Sequence, residues 1–121
     1  MIRDIKFAIT TDGDGDYDIT STASVNGEVV GIDVTDTDLA ATADITVSNT
    51  SRPGGTALTI LTLTDHTTDN HLPVLHQGVG NTGSGLGASN YVRPYVNGYL
   101  RVVVAQGGDT KTGTVVVYVK E

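Results

Sequence analysis

Hydrophobic and polar residues alternate along most of this chain with a period of two. Ile5, Phe7 and Ile9 alternate with Lys6, Ala8 and Thr10, and Val30, Ile32 and Val34 with Gly31 and Asp33. Ile45 and Val47 alternate with Asp44, Thr46 and Ser48, and the stretch TALTILTLT (56–64) is Thr-rich and β-branched throughout. Side chains of a strand point to opposite faces in turn, so each run predicts a half-buried strand. No segment sustains a 3.6-residue period; only DTDLAATAD leaves room for a helical turn.

The last two apolar runs, YLRVVVA and TGTVVVYVK, lack clean alternation around Val102–Val104 and Val115–Val117. Strands apolar on both faces sit inside a sheet or turn one face to a partner chain. Between the runs lies turn chemistry. Asn26-Gly27 and Asn97-Gly98 are type I′ hairpin signals, because that turn needs positive φ at two successive residues. Gly107-Gly108 joins the last two strands. VNGEVVGIDV and VNGYLRVVVA echo each other, which suits two equivalent halves; any two such hairpins look alike, and that reading is preferred. The segment HQGVGNTGSGLGASN (76–90) is too glycine-rich for a strand and too long for a hairpin, so an exposed loop is expected. Regular short strands and turns predict one domain over 1–121: an all-β, antiparallel, jelly-roll-like sandwich of about eight strands.

Composition narrows the function more than the fold. With 14 acidic against 7 basic side chains the net charge is −7, and such a body repels phosphate backbones; no nucleic-acid partner is expected. The absence of cysteine excludes disulfides, thiolate metal sites and cysteine nucleophiles. No apolar run is long enough to span a bilayer as a helix, and charge interrupts the N-terminal stretch, so neither membrane insertion nor a signal peptide is expected.

Candidate chemistry is sparse. TDGDGDYD places Asp12, Asp14, Asp16 and Asp18 on alternate positions, like the first ligands of a calcium loop. That loop also needs glycine at its sixth position and glutamate at its twelfth, which here are Tyr17 and Ala23. A looser cation site from Asp12, Asp14 and Asp16 is weighed against an acidic turn leading into a strand at Tyr17, and the turn is preferred. GVGNTG (78–83) matches a dinucleotide fingerprint in letters, but the adjoining SGLGASNYVRP cannot open a helix. His66, His71 and His76 are spaced too widely for a local zinc site and read as solvated. Asn49-Thr50-Ser51 fits the glycosylation triplet, without a signal peptide to give it meaning. No nucleophile elbow, HExxH or acid–base pair is present, so no catalytic residue, cofactor or enzyme activity is expected.

Three stretches together are similar to a known group. FAITTDGDGDYDITSTASVNGEVVGIDV, DLAATADITVSNT and YVNGYLRVVVAQGGDTKTGTVVVYVK form an ordered pattern that resembles small structural proteins of tailed bacteriophages, associated with capsid decoration. The closing hairpin, through Gly107, Gly108, Lys111, Gly113 and Thr114, carries most of the likeness, while Thr64–Asn90 lies outside it. The resemblance implies a virion protein made in the host cytoplasm. Its partners would be the major capsid protein or other virion proteins, and it would form a homo-oligomer, a trimer by preference. The expected contacts are the loop glycines Gly78, Gly80, Gly83, Gly85 and Gly87, the segment Met1–Lys6, and Arg93 and Arg101. A neck or tail location, or a carbohydrate- or surface-binding module of a fibre or adhesin, is the alternative; few aromatics argue against a sugar platform.

Overall fold

In a computed structural model the chain is described at residues 1–35, 38–50, 57–65, 70–72, 76–77 and 91–121. Ten strands occur there: Ile2–Thr10 (β1), Tyr17–Thr20 (β2), Val25–Thr35 (β3), Asp44–Thr50 (β4), Leu58–Leu63 (β5), Asn70–Leu72 (β6), His76–Gln77 (β7), Tyr91–Val92 (β8), Tyr95–Ala105 (β9) and Thr112–Lys120 (β10). Every pairing among them is antiparallel, eight strands join one sheet, and β7 and β8 form a separate pair. No helix forms among the described residues, and the DTDLAATAD segment ends in a turn closed by Ala43 N–H to the Ala40 carbonyl at 2.9 Å. The all-β, antiparallel expectation holds.

The sheet is organised about one residue pair. Asn26 of β3 lies directly opposite Asn97 of β9, and the two strands pair only over Val25–Glu28 and Tyr95–Gly98 before diverging. Beyond that point β3 is flanked by β10 and then β1, with β6 on its other side. The rest of β9 is flanked in the same way by β4 and then β5, with β2 on its other side. Val117 opposite Ile32 on one wing corresponds to Val47 opposite Val102 on the other. The wings are thus related by an approximate two-fold axis through the asparagine pair.

This arrangement corrects the hairpin reading. Asn26-Gly27 and Asn97-Gly98 are mid-strand, and only Gly98 has the positive φ (117°) that such a turn would demand of several residues. Gly27 is required for a different reason: a Cβ there would overlap the Lys120 carbonyl where β10 passes. The echo between the two VNG segments is that of two strands paired with each other.

Burial follows the alternation. One face of each wing enters a single core that contains Ile32, Val34 and Val117 from the first wing and Val47, Val102 and Val104 from the second, as a sandwich-like doubling requires. Each such side chain contributes about 1.5–3 kcal/mol relative to exposure. A bulge at Val30 shifts the phase of β3, so Val29 rather than Val30 is buried before Ile32 resumes the pattern. Val103 and Val116 are half-buried on the outer faces of inner strands, which explains why β9 and β10 lack clean alternation. The connections leaving β3 and β9 meet at the far end from the asparagine pair, where Ala40 N–H donates to the Gly107 carbonyl at 2.9 Å and Asp38 N–H to the Thr112 carbonyl at 3.1 Å.

Candidate functional site

Among the described residues the large apolar side chains left in solvent are Met1, Ile2, Tyr95 and Tyr99. Their positions are connected. Ile2 lies opposite Lys120, Lys120 opposite Glu28, and Glu28 opposite Tyr95, so one row crosses β1, β10, β3 and β9. All four side chains of the row are exposed, with Tyr95 at 57% and Ile2 at 58%. Alternation along β9 then carries the strip through Asn97 to Tyr99, which stands opposite Thr50.

Polar groups frame this strip. The Tyr95 hydroxyl bonds the Asn26 side-chain oxygen, and Asn26 N–H donates to the Glu121 carboxylate at 3.3 Å. Glu121 in turn pairs with Arg3 at 3.5 Å. A depression of about 310 Å³ opens between Tyr95, Asn26, Glu28 and Lys120. The surface therefore carries the Lys120–Glu28 pair between Ile2 at one end and Tyr95 and Tyr99 at the other. Glu28, Lys120, Glu121 and the Tyr95 hydroxyl line the depression.

The acidic stretch lies at the opposite end and is a turn. One Asp12 carboxylate oxygen accepts the N–H groups of Asp14 (2.9 Å) and Asp16 (3.0 Å), folding the loop around itself. The turn docks on the connection after β9: Gly107 N–H donates to the Gly15 carbonyl at 2.9 Å and Thr110 N–H to the Asp12 carbonyl at 3.2 Å. Buried Thr11 seals the junction, its hydroxyl donating to the Gly108 carbonyl (2.6 Å) and accepting Lys111 N–H (2.8 Å). Among the described residues no three His, Cys, Asp or Glu side chains are grouped to hold a metal.

The expected contact residues separate. Gly78, Gly80, Gly83, Gly85 and Gly87 lie outside the described residues, as do His66 and the side chains of His71 and His76. Arg93 is exposed just before β9. Arg101 does not flank a hairpin. It sits mid-strand and binds Asp18 of the neighbouring β2 in a fork, Nε to Oδ1 at 2.8 Å, which holds the Asp18 carboxyl below its usual range. Of Met1–Lys6, Met1 and Ile2 belong to the exposed strip.

Sequence reasoning missed Tyr95 and Tyr99, because mid-strand placement puts them on one face whereas a hairpin at Asn97 would have separated them. It also missed Asn49, which is fully buried and bonds the backbone of β9.

Comparison with known proteins adds little. No protein-family model and no curated protein matches the sequence. Two solved structures are similar in outline. A serine protease of Aeromonas sobria is 12% identical with a TM-score of 0.39, and the alignment covers 99% of this chain and 26% of the protease. A structure of infectious bursal disease virus, Gx strain, is 17% identical with a TM-score of 0.34, covering 99% of this chain and 37% of that one.

Proposed function

We propose that this protein is a non-catalytic virion structural protein, a capsid decoration protein that docks on the shell of a tailed bacteriophage and stabilises it. The observation that carries the reading is the single exposed strip from Ile2 through Tyr95 to Tyr99. Exposed apolar side chains interleaved with charged and amide groups suit a protein-binding face, and exposed tyrosines supply large contact area at little conformational cost. The overall acidity keeps free copies apart before docking. The sequence resemblance supplies the particle, and the strip supplies the means of attachment.

The test mixes purified protein with shells that lack it, followed by imaging and heating. Density on the shell and a raised melting temperature are expected, and both are lost in Tyr95→Ser/Tyr99→Ser. Hot-spot tyrosines carry about 2 kcal/mol or more each, so two additive losses weaken binding by about 1,000-fold. Unaltered binding by that variant would remove the strip from the contact, and absence of density would remove the decoration reading.

One observation favours the alternative, a carbohydrate-binding module. Tyr95 and Tyr99 stand on either side of Asn97 with Asn26 opposite, so aromatic faces and amide groups share one surface. A glycan array with hits abolished by Tyr95→Ser would replace the shell with a sugar.

A further inference from the structure

We propose that β1 is a contact between two copies of this chain: two β1 edges pair antiparallel about a two-fold axis at Ile5, so that Asp4 of each copy faces Lys6 of the other.

The direction of the backbone groups comes first. Thr11 N–H donates to the Lys111 carbonyl at 2.9 Å and Glu121 N–H to the Met1 carbonyl at 3.1 Å, so the odd-numbered residues of β1 bond towards β10. The even-numbered residues therefore turn their N–H and C=O groups to the other edge. Ala8 shows that edge directly, because its carbonyl accepts the Tyr17 hydroxyl at 3.1 Å. Among the described residues β1 pairs with β10 alone. Two tethers hold the edge near β2: Tyr17 at Ala8, and Arg3, whose guanidinium donates to the Ser24 carbonyl at 3.1 Å. Between them a groove of about 270 Å³ separates residues 3–7 of β1 from residues 19–23, and the second β1 enters there.

Charge then selects the occupant and the register. Asp4, Lys6, Ile2 and Ala8 all have exposed side chains on the outer face of β1. An edge strand usually carries an isolated lysine to repel other edges. Here Asp4 precedes Lys6 by one pleat, and the pattern complements itself when reversed. Hydrogen-bonded pairing requires even residues opposite even residues. Setting Asp4 against Asp4, or Lys6 against Lys6, places like charges directly across the ladder, which destabilises it. Setting Asp4 against Lys6 makes two opposite-charge pairs at once, and the ladder stops short of Ala8, whose carbonyl already holds the Tyr17 hydroxyl. A contact of this kind is isologous and closes at two copies, whereas a trimer needs a different, heterologous contact. The inference goes beyond the shell-docking reading and is measured on the free protein, so either can fail without the other.

The experiment is sedimentation of the full chain from about 10 μM to about 1 mM, the range expected for a short edge contact. Wild type is expected to dimerise. Asp4→Lys sets lysine against lysine and Lys6→Asp sets aspartate against aspartate, so each variant alone associates more weakly, on the order of tenfold. An equimolar mixture of the two recovers the dimer, since every charge then meets its opposite, and Asp4→Lys/Lys6→Asp in one chain recovers it as well. Amide exchange gives a readout without substitution: the N–H groups of Asp4 and Lys6 gain protection as concentration rises. A monomeric wild type throughout the range, a dimer or trimer indifferent to the single substitutions, or a mixture that stays monomeric overturns the proposal.

Discussion

The side-chain amide of Asn49 clamps the backbone of Asn97: its oxygen accepts Asn97 N–H at 3.1 Å and its nitrogen approaches the Asn97 carbonyl at 3.3 Å. The same nitrogen donates to the Tyr99 carbonyl at 3.0 Å. On this edge of β9 the ladder with β4 runs to Thr50 opposite Tyr99, and beyond it the Asn49 side chain takes the Asn97 backbone groups, while β3 lies along the other edge of β9. A polar side chain is needed there because Asn49 is fully buried and unpaired peptide groups would be costly.

Asn49→Leu is therefore expected to destabilise the fold although it adds apolar surface. It leaves the part-buried N–H and carbonyl of Asn97 without the Asn49 amide, a loss of up to about 1–3 kcal/mol for each group. Urea unfolding measures it; a variant as stable as wild type would show that the clamp is dispensable.

Gly27→Ala is expected to be worse than alanine elsewhere on the strand surface. The added carbon meets the Lys120 carbonyl, a backbone atom that moves only if the end of β10 moves. The cost is expected to exceed the roughly 0.5–1 kcal/mol that alanine gains over glycine in a relaxed strand. Thermal unfolding of Gly27→Ala beside Asn26→Ala separates the clash from any general effect at the axis.

Those two sites show where the sequence was legible. Period-two alternation located β1, β3, β4 and β5, because a strand with one buried face must write that period into its residues, and unbroken apolar runs located β10 and the second half of β9. It misplaced the core phase of β3 at Val30, since a bulge adds one residue without any compositional mark. It turned Asn26-Gly27 and Asn97-Gly98 into hairpins because local turn propensity cannot register a β10 carbonyl passing close by, a contact more than ninety residues away in sequence. Asn49 and the tyrosine strip depend on which strand lies beside which, and that is set by long-range pairing.

Calcium is expected to leave the melting temperature unchanged. Oδ1 of Asp12 is committed to two turn amides, and among the described residues no three acidic side chains are grouped to hold a cation. Gly15, at φ 82°, fixes the turn against Gly107 and Gly108, with a Cβ there only 2.9 Å from the Gly108 nitrogen. Gly15→Ala is accordingly expected to destabilise by about 2 kcal/mol or more, through left-handed strain together with undocking. A calcium-dependent rise in melting temperature would restore the cation reading of this stretch.

The pH profile is expected to fall at both ends for different reasons. Asp38 accepts the N–H and hydroxyl of Thr112, at 2.5 and 3.0 Å, and its pKa is lowered from 3.8 mainly by that backbone bond. A lowered folded-state pKa contributes stability that is present above 3.8 and lost as pH falls through the folded value. Asp18 acts the same way through Arg101. At the alkaline end the Tyr118 hydroxyl donates to Asp33 at 2.7 Å, and this bond, foremost among the causes, raises its pKa from 10.0. Here the protonated form is favoured in the folded state, so the contribution is complete below 10.0 and disappears as pH rises through the folded value. Phenolate absorbance is expected to show Tyr118 titrating above 10.0, and Asp33→Asn is expected to bring it back towards that value. Asp38→Asn should flatten the acid limb and leave the alkaline limb unchanged. If Asp33→Asn leaves the titration as it was, the Tyr118–Asp33 bond does not set that limb.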